Sequence, residues 1–217
     1  MALFYKKSIG ETGKIAIWRM EEREDFFLMD LELSLKEKVR LQNLKGNRRR
    51  EWVTSRWLLH QMTGGGERID CLVDEFGKPY LSGHQLELSI THSRELVGVI
   101  VDEAQNVGID LQKIVAKIER IAHKFMRPTE TKSLRKATKI EHLHIYWCAK
   151  EALYKAYGRK ELDYKEHILV KPFSYEERGN TTAVVKKGEF KAEFDVHFEK
   201  LGNFMFVYVV EISKHSN

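Results

Sequence analysis

Apolar positions along the chain switch between a period of two and a period near 3.6, and the switches mark the predicted elements. Residues 14–20 alternate and predict a strand, and residues 24–31 have room for a short helix. Ser34 followed by Glu37 is a capping box that opens a helix running to about residue 44, where Gly46 breaks it. Asn47 is the predicted cap of the next helix, which carries Trp52, Val53, Trp57 and Leu58 on one face and ends at the glycines 64–66. After residues 69–74 and a Gly77-Lys78-Pro79 turn come strand patterns at 86–90, 96–102 and 107–111. The polar turns between them are short, which predicts an antiparallel meander.

The second half repeats the style. Residues 116–126 place Ile118, Ile121, Ala122 and Phe125 on one stripe and predict an amphipathic helix. Arg127-Pro128 ends it, and Thr129 is the predicted cap of a further short helix. A long helix follows at 140–157 with Gly158 as its stop. Strand patterns then run at 168–173, 182–186, 190–198 and 204–212, with Lys187-Gly188 as a hairpin turn. Helices followed by antiparallel strands, twice over, predict an α+β fold of two similar halves, 1–105 and 106–217, each a small antiparallel sheet packed with helices. The halves share no residue-level repeat. The polar end, Lys214 to Asn217, is expected to fray.

Composition narrows the class. A chain of 217 residues, 42% hydrophobic and 11% aromatic, has the make-up of a globular protein with a sizeable core. Its apolar runs fall short of the roughly 20 residues that span a bilayer. The first ten residues lack the apolar stretch of a secretion signal, so the expected location is the cytoplasm, without a membrane partner. Cys71 and Cys148 have neither metal-binding nor disulfide-framework spacing. His142 and His144 are two apart and diverge on a helix, so no zinc pattern arises. A net charge of +5 favours an acidic partner without choosing among nucleic acid, anionic cofactor and acidic protein.

The helix carrying Trp147, Cys148, Lys150, Glu151 and Lys155 holds the most chemistry. Glu151 and Lys155 are four apart and share a face. Such a pair is helix support worth about 0.2–0.5 kcal/mol, or it is a metal ligand beside a phosphate contact. Lys150 points about 100° from Glu151, toward a cofactor rim or solvent. Cys148 reads as a packed neutral thiol. In the strand pattern Val107-Gly108-Ile109-Asp110-Leu111-Gln112, Asp110 and Gln112 share one face, and Gly108 admits close approach of a backbone or ligand.

Together, Gly108-Ile109-Asp110 and Trp147-x-x-Lys150-Glu151-x-x-x-Lys155, about forty residues on, resemble the paired signatures of the 4′-phosphopantetheinyl transferases, in the two-domain surfactin-synthetase-activating type. Three upstream pieces match in order: the Arg-rich helix from Arg48 through Leu59, Phe76-Gly77-Lys78-Pro79-Tyr80, and Ser89-Ile90-Thr91-His92-Ser93. The resemblance implies an active site in the cleft between the halves. It also implies transfer of the phosphopantetheine arm of coenzyme A to a serine of an acidic acyl or peptidyl carrier protein, releasing 3′,5′-ADP. Asp110 and Glu151, with Gln112, become ligands of Mg2+. Glu151 doubles as the group that takes the serine proton, and Lys155 meets the phosphate. Arg49, Arg50, Arg56, Lys78, Thr91, His92, Asp110, Lys150 and Lys155 become coenzyme A contacts. Many members have Glu at the place of Gln112, so a more weakly held ion is expected, which a Gln112→Glu variant would tighten.

Lys117, Arg120, Lys124 and Arg127 recur every three or four residues beside the apolar stripe, either as a solvated face or as a docking surface for the acidic carrier. Two halves in one chain imply a monomer. The rival class is a basic nucleic-acid-binding module, resting on the net charge and Arg48-Arg49-Arg50, but no zinc-finger, RNP-type or KH-type signature accompanies them. A third reading is a homologue that binds coenzyme A without efficient transfer, hinted at by Gln112 alone.

Overall fold

A computed structural model describes residues 2–64, 66 and 69–213; the fraying expected of residues 214–217 lies outside the described residues. The fold is α+β, built from antiparallel sheets and helices, and the chain divides into two compact units, Met1–Ala104 and Gln105–Asn217.

The first unit opens with β1 (Leu3–Ile9), a strand the sequence pattern did not mark because polar Tyr5-Lys6-Lys7-Ser8 interrupts its alternation. It pairs antiparallel with β2 (Gly13–Arg19). Helices α1 (Glu24–Leu28), α2 (Leu35–Asn43) and α3 (Gly46–Met62) follow. The capping box is present: Ser34 Oγ accepts the Glu37 N–H at 3.4 Å, and Glu37 Oε2 accepts the Ser34 N–H at 3.2 Å. Asn47 is not a cap, because α3 already begins at Gly46 with Lys45 before it. Trp52, Val53, Trp57, Leu58 and Leu59 give α3 its buried side, and Trp18 of β2 meets Trp57 edge-on at 4.6 Å. A short hairpin of β3 (Cys71–Val73) and β4 (Pro79–Leu81) precedes β5 (Glu87–Ser93) and β6 (Leu96–Asp102). The four-stranded sheet has the order β1-β2-β6-β5.

The expected meander stops there. β7 (Val107–Lys113) does not continue onto β6 but opens the sheet of the second unit, ordered β7-β11-β10-β9-β8. Its partner is β11 (Phe204–Glu211), almost a hundred residues on, with Asp110 opposite Val207 and Gln112 opposite Met205. Short polar turns announce a reversal, but the choice of neighbour is a long-range matter that turn chemistry does not encode. The remaining strands are β8 (Ile168–Val170), β9 (Arg178–Lys187) and β10 (Phe190–Leu201). β9 and β10 meet through Gly188, whose φ of 55° is the left-handed conformation a tight hairpin needs.

Helix α4 (Ile118–Phe125) spans its apolar stripe but is shorter than the predicted 116–126, and α5 (Pro128–Thr131) is a single turn. Thr129 lies inside α5 and caps nothing; the turn is closed instead by Glu130, whose carboxylate accepts the Arg127 N–H at 2.7 Å. Helix α6 (Lys139–Tyr157) ends on Gly158 at φ 69°. It buries Leu143, Ile145, Tyr146, Leu153 and three alanines, Ala149, Ala152 and Ala156, in the core of the unit. The alanines are the residue type that lets a helix sit close to a strand. Gly108 completes that approach: a Cβ there would lie 2.0 Å from the Ala152 carbonyl oxygen. The close backbone predicted from Gly108 is therefore α6, and this contact packs together the two elements that carry Asp110 and Glu151.

Candidate active site

Four side chains named by the sequence gather in the second unit: Asp110, Gln112, Glu151 and Lys155. Asp110 is buried on β7, and its Oδ1 accepts from the Lys155 ammonium at 2.8 Å. The same ammonium donates to the Ile109 carbonyl at 2.9 Å. Gln112, on the same face of the strand, donates its amide N–H to Asp110 Oδ2 at 3.1 Å. Glu151, one turn before Lys155 on α6, accepts the Tyr164 hydroxyl at Oε1, 2.6 Å away. Burial pushes the Glu151 carboxyl above the ordinary carboxylate range; the Tyr164 hydrogen bond opposes this, Asp110 adds to it, and Lys155 pulls it back. Asp110 and Glu151 thus feel each other's charge through a partly dehydrated medium, with one lysine offsetting both.

Cys148 is a packed thiol. Its Sγ points to the Met205 carbonyl at 3.7 Å, and burial raises it well above the usual thiol range. His142 and His144 diverge from the site. His142 stacks on Tyr146 and is held near neutrality by burial, with a pKa lowered to about 4. His144 is lowered too, and its Nε2 accepts the Val115 N–H at 3.3 Å.

Two predicted contacts are corrected. Lys150 reaches neither a cofactor rim nor solvent: its side chain is 0% exposed. Its ammonium donates to Glu130 Oε2 at 2.9 Å and to the carbonyls of Phe125 at 2.7 Å, Tyr164 at 2.9 Å and Ile168 at 3.3 Å. Desolvation lowers its pKa, and Glu130 counteracts that. The 100° rotation was right, but it turns Lys150 inward, over α5 and β8. Arg127 likewise leaves the basic stripe. It follows the end of α4 and donates to the carbonyls of Lys165 and Glu166. Lys117, Arg120 and Lys124 remain exposed.

The first unit holds the other predicted contacts, and most already have partners inside that unit. Arg49 pairs with Glu24 at 2.7 Å, which raises its pKa, and donates to the Leu41 carbonyl. Arg50 donates to the carbonyls of Met20 and Glu22. Arg56 is buried over the Trp52 ring at 4.8 Å and donates to Ser55 Oγ at 3.1 Å. Arg49 and Arg56, seven residues apart on α3, thus differ in surroundings: Arg49 pairs with Glu24 at the surface, and Arg56 is buried against Trp52. Lys78 pairs with Glu87 at 2.9 Å. Thr91 is buried on β5, while the exposed His92 approaches Glu51 at 3.4 Å.

Sequence reasoning missed Tyr164 and Glu130. Tyr164 is one aromatic in a polar loop, and Glu130 is one acid in a single-turn helix. The capping geometry of Glu130, three residues after the start of a Pro-initiated turn, was the signal available.

Among the described residues no cluster of three or more His, Cys, Asp or Glu could hold a metal ion. The oxygen donors here are two carboxylates, which suits Mg2+, an ion that takes few protein ligands and keeps waters or substrate phosphates. Two like-charged carboxylates sharing a half-buried site also fit a bound cation electrostatically. No helix among the described residues is long and apolar enough to cross a membrane.

Residues 106–203, from the start of β7 to the end of β10, match the model of the 4′-phosphopantetheinyl transferase superfamily. That segment contains Asp110, Gln112, Lys150, Glu151, Tyr164 and Lys155. A comparison with curated proteins finds no match.

Proposed function

We propose that the protein is a two-domain, Mg2+-dependent transferase that moves the 4′-phosphopantetheine group of coenzyme A to a serine of an acyl or peptidyl carrier protein in the cytoplasm. The observation that carries this reading is the coupled cluster of Asp110, Lys155 and Glu151, inside the segment that matches the superfamily.

In the reaction, the carrier serine oxygen forms a bond to the β-phosphorus of coenzyme A. The bond from that phosphorus to the bridging oxygen breaks, and the electron pair leaves with 3′,5′-ADP. The serine proton goes to Glu151 or to a water held by it. In the metal-free protein burial raises the Glu151 carboxyl above the ordinary carboxylate range, and its place beside Asp110 and Lys155 puts it within the reacting cluster. Lys155 supplies positive charge for the leaving group and is released from Asp110 as phosphate takes its place. Asp110 and Glu151 would hold Mg2+, which stabilises the growing negative charge of the diphosphate. Gln112, already bonded to Asp110, orients that carboxylate and adds a neutral oxygen. For the nucleotide end, the resemblance assigns Lys78, Thr91 and His92 together with the arginines of α3; Lys78 would exchange Glu87 for a phosphate.

The experiment is direct. Purified protein, coenzyme A and Mg2+ are mixed with several apo-carrier proteins, and the carriers are weighed by mass spectrometry. Each modified carrier gains one phosphopantetheine. Absence of any gain across fatty-acid, polyketide and peptide carriers, together with steeply salt-dependent binding to DNA or RNA, would establish the nucleic-acid reading instead. In the same assay, reversing the charges of Lys117 and Arg120 is expected to raise the KM for carrier; an unchanged KM removes the α4 stripe as the docking surface.

A further inference from the structure

The two cations that sequence spacing sent outward, Arg127 and Lys150, converge on one short turn. Residues 164–167 form that turn. The Asp163 carboxylate accepts the N–H groups of Lys165 at 2.7 Å and Glu166 at 2.8 Å, and the Asp163 N–H donates to His167 Nδ1 at 2.8 Å. Arg127 grips the turn from one side by the carbonyls of Lys165 and Glu166. Lys150, fully buried, grips it by the carbonyl of Tyr164 at 2.9 Å. The turn is thus held at the three successive carbonyls of Tyr164, Lys165 and Glu166 by charged donors, which give stronger hydrogen bonds than neutral ones.

The side chain is fixed as well. The Tyr164 ring lies 5.6 Å from the Trp147 ring and 5.7 Å from that of Tyr154, both on α6. Between those two aromatics, one turn of helix from each, stands Glu151, and the Tyr164 hydroxyl reaches its Oε1 at 2.6 Å. Oε2 of Glu151 has no hydrogen-bond partner among the described residues. One carboxylate oxygen is therefore tied to the protein while the other is left for chemistry.

We propose that Tyr164 is the positioning residue of Glu151, and that Arg127 and Lys150 act through it by holding its turn in place. The role rests on the transfer reading above. A carboxylate on a helix rotates about its side-chain bonds, and small misplacements of a reacting group cost rate out of proportion to the binding they disturb. The tyrosine hydroxyl restricts that freedom by holding Oε1. Lys150 sits one residue before Glu151 because each faces a different partner of the same loop: Lys150 takes the Tyr164 backbone, and Glu151 takes its side chain.

Tyr164→Phe is the test, since it keeps the ring against Trp147 and Tyr154 and removes only the hydroxyl. Expected is a kcat lowered about tenfold, the loss of a hydrogen bond to a charged group, with the KM values for coenzyme A and carrier within about twofold of wild type. An unchanged kcat, or a parallel rise in both KM values, overturns the proposal. A second readout does not depend on activity. The urea midpoint is measured for wild type, Tyr164→Phe, Glu151→Ala and the double variant. Coupling predicts that the midpoint shift caused by Tyr164→Phe shrinks in the Glu151→Ala background, and additive shifts overturn the proposal. If wild-type protein modifies no carrier, the transfer reading fails, and the unfolding cycle still decides whether Tyr164 and Glu151 act as a unit.

Discussion

Replacing Glu151 by Gln is expected to slow carrier modification by about 10²–10⁴-fold, the range lost when a positioned proton acceptor is removed. The substitution is nearly isosteric. The Gln carbonyl oxygen still accepts the Tyr164 hydroxyl, so the loop and helix stay in register. Stability is expected to stay level or rise. Burial pushes the Glu151 carboxyl upward, which means that its ionised form is penalised in the folded protein without a bound cation. A neutral amide removes the penalty, as often happens when a strained functional group is replaced. Steady-state transfer followed by mass spectrometry, beside a thermal melt, checks both halves. Transfer within about threefold of wild type would take Glu151 out of the chemistry, well short of the loss expected of a catalytic base.

Lys150→Met is expected to act on folding first, with a loss of about 3–5 kcal/mol, the usual cost of stranding one member of a buried ion pair. Glu130 and Lys150 are both 0% exposed. Without the ammonium, the Glu130 carboxylate keeps, among the described residues, the N–H groups of Arg127 and Val170, and the carbonyls of Phe125, Tyr164 and Ile168 lose a shared donor. Against a typical total of about 5–15 kcal/mol, that is a large fraction. The double variant Glu130→Leu, Lys150→Met removes the orphaned charge and is expected to recover part of the loss, though not all, because the backbone groups stay unpaired. Chemical denaturation measures each step. A loss under about 1 kcal/mol for Lys150→Met would match a solvent-exposed pair and contradict the buried geometry.

Much of this architecture is written locally. The Ser34–Glu37 box, the Gly158 stop and the hairpin at Gly188 are all decided within a few residues, so the sequence carries them openly. Gly108 was legible as a close approach because only a missing Cβ tolerates a carbonyl oxygen 2.0 Å from where it would stand. Asp110, Glu151 and Lys155 were legible through two short motifs, and the fold brings Asp110 and Lys155 into one ion pair.

What stayed hidden depends on partners distant in sequence. Lys150 and Arg127 look like surface cations on any helical wheel. Their true partners are Glu130, twenty residues from Lys150, and loop carbonyls that no side-chain pattern records. Arg49, Arg50 and Arg56 likewise have partners no spacing records: Glu24, the carbonyls of Leu41, Met20 and Glu22, and the Ser55 hydroxyl. Strand β7 left the expected meander because apolar Val107, Ile109 and Leu111 suit any neighbouring strand, and β11 was chosen by the fold of the whole unit.

In the proposed reaction Asp110 and Glu151 would hold one divalent cation between them. Mn2+, a paramagnetic substitute for Mg2+, can be titrated into the protein with coenzyme A present and its free signal followed by electron paramagnetic resonance. A single strong Mn2+ site is expected in the wild type, weakened at least about tenfold in both Asp110→Asn and Glu151→Gln, since each removes a full charge from a partly dehydrated site. Wild-type affinity in either variant would show that the two carboxylates do not share an ion, and would contradict the account.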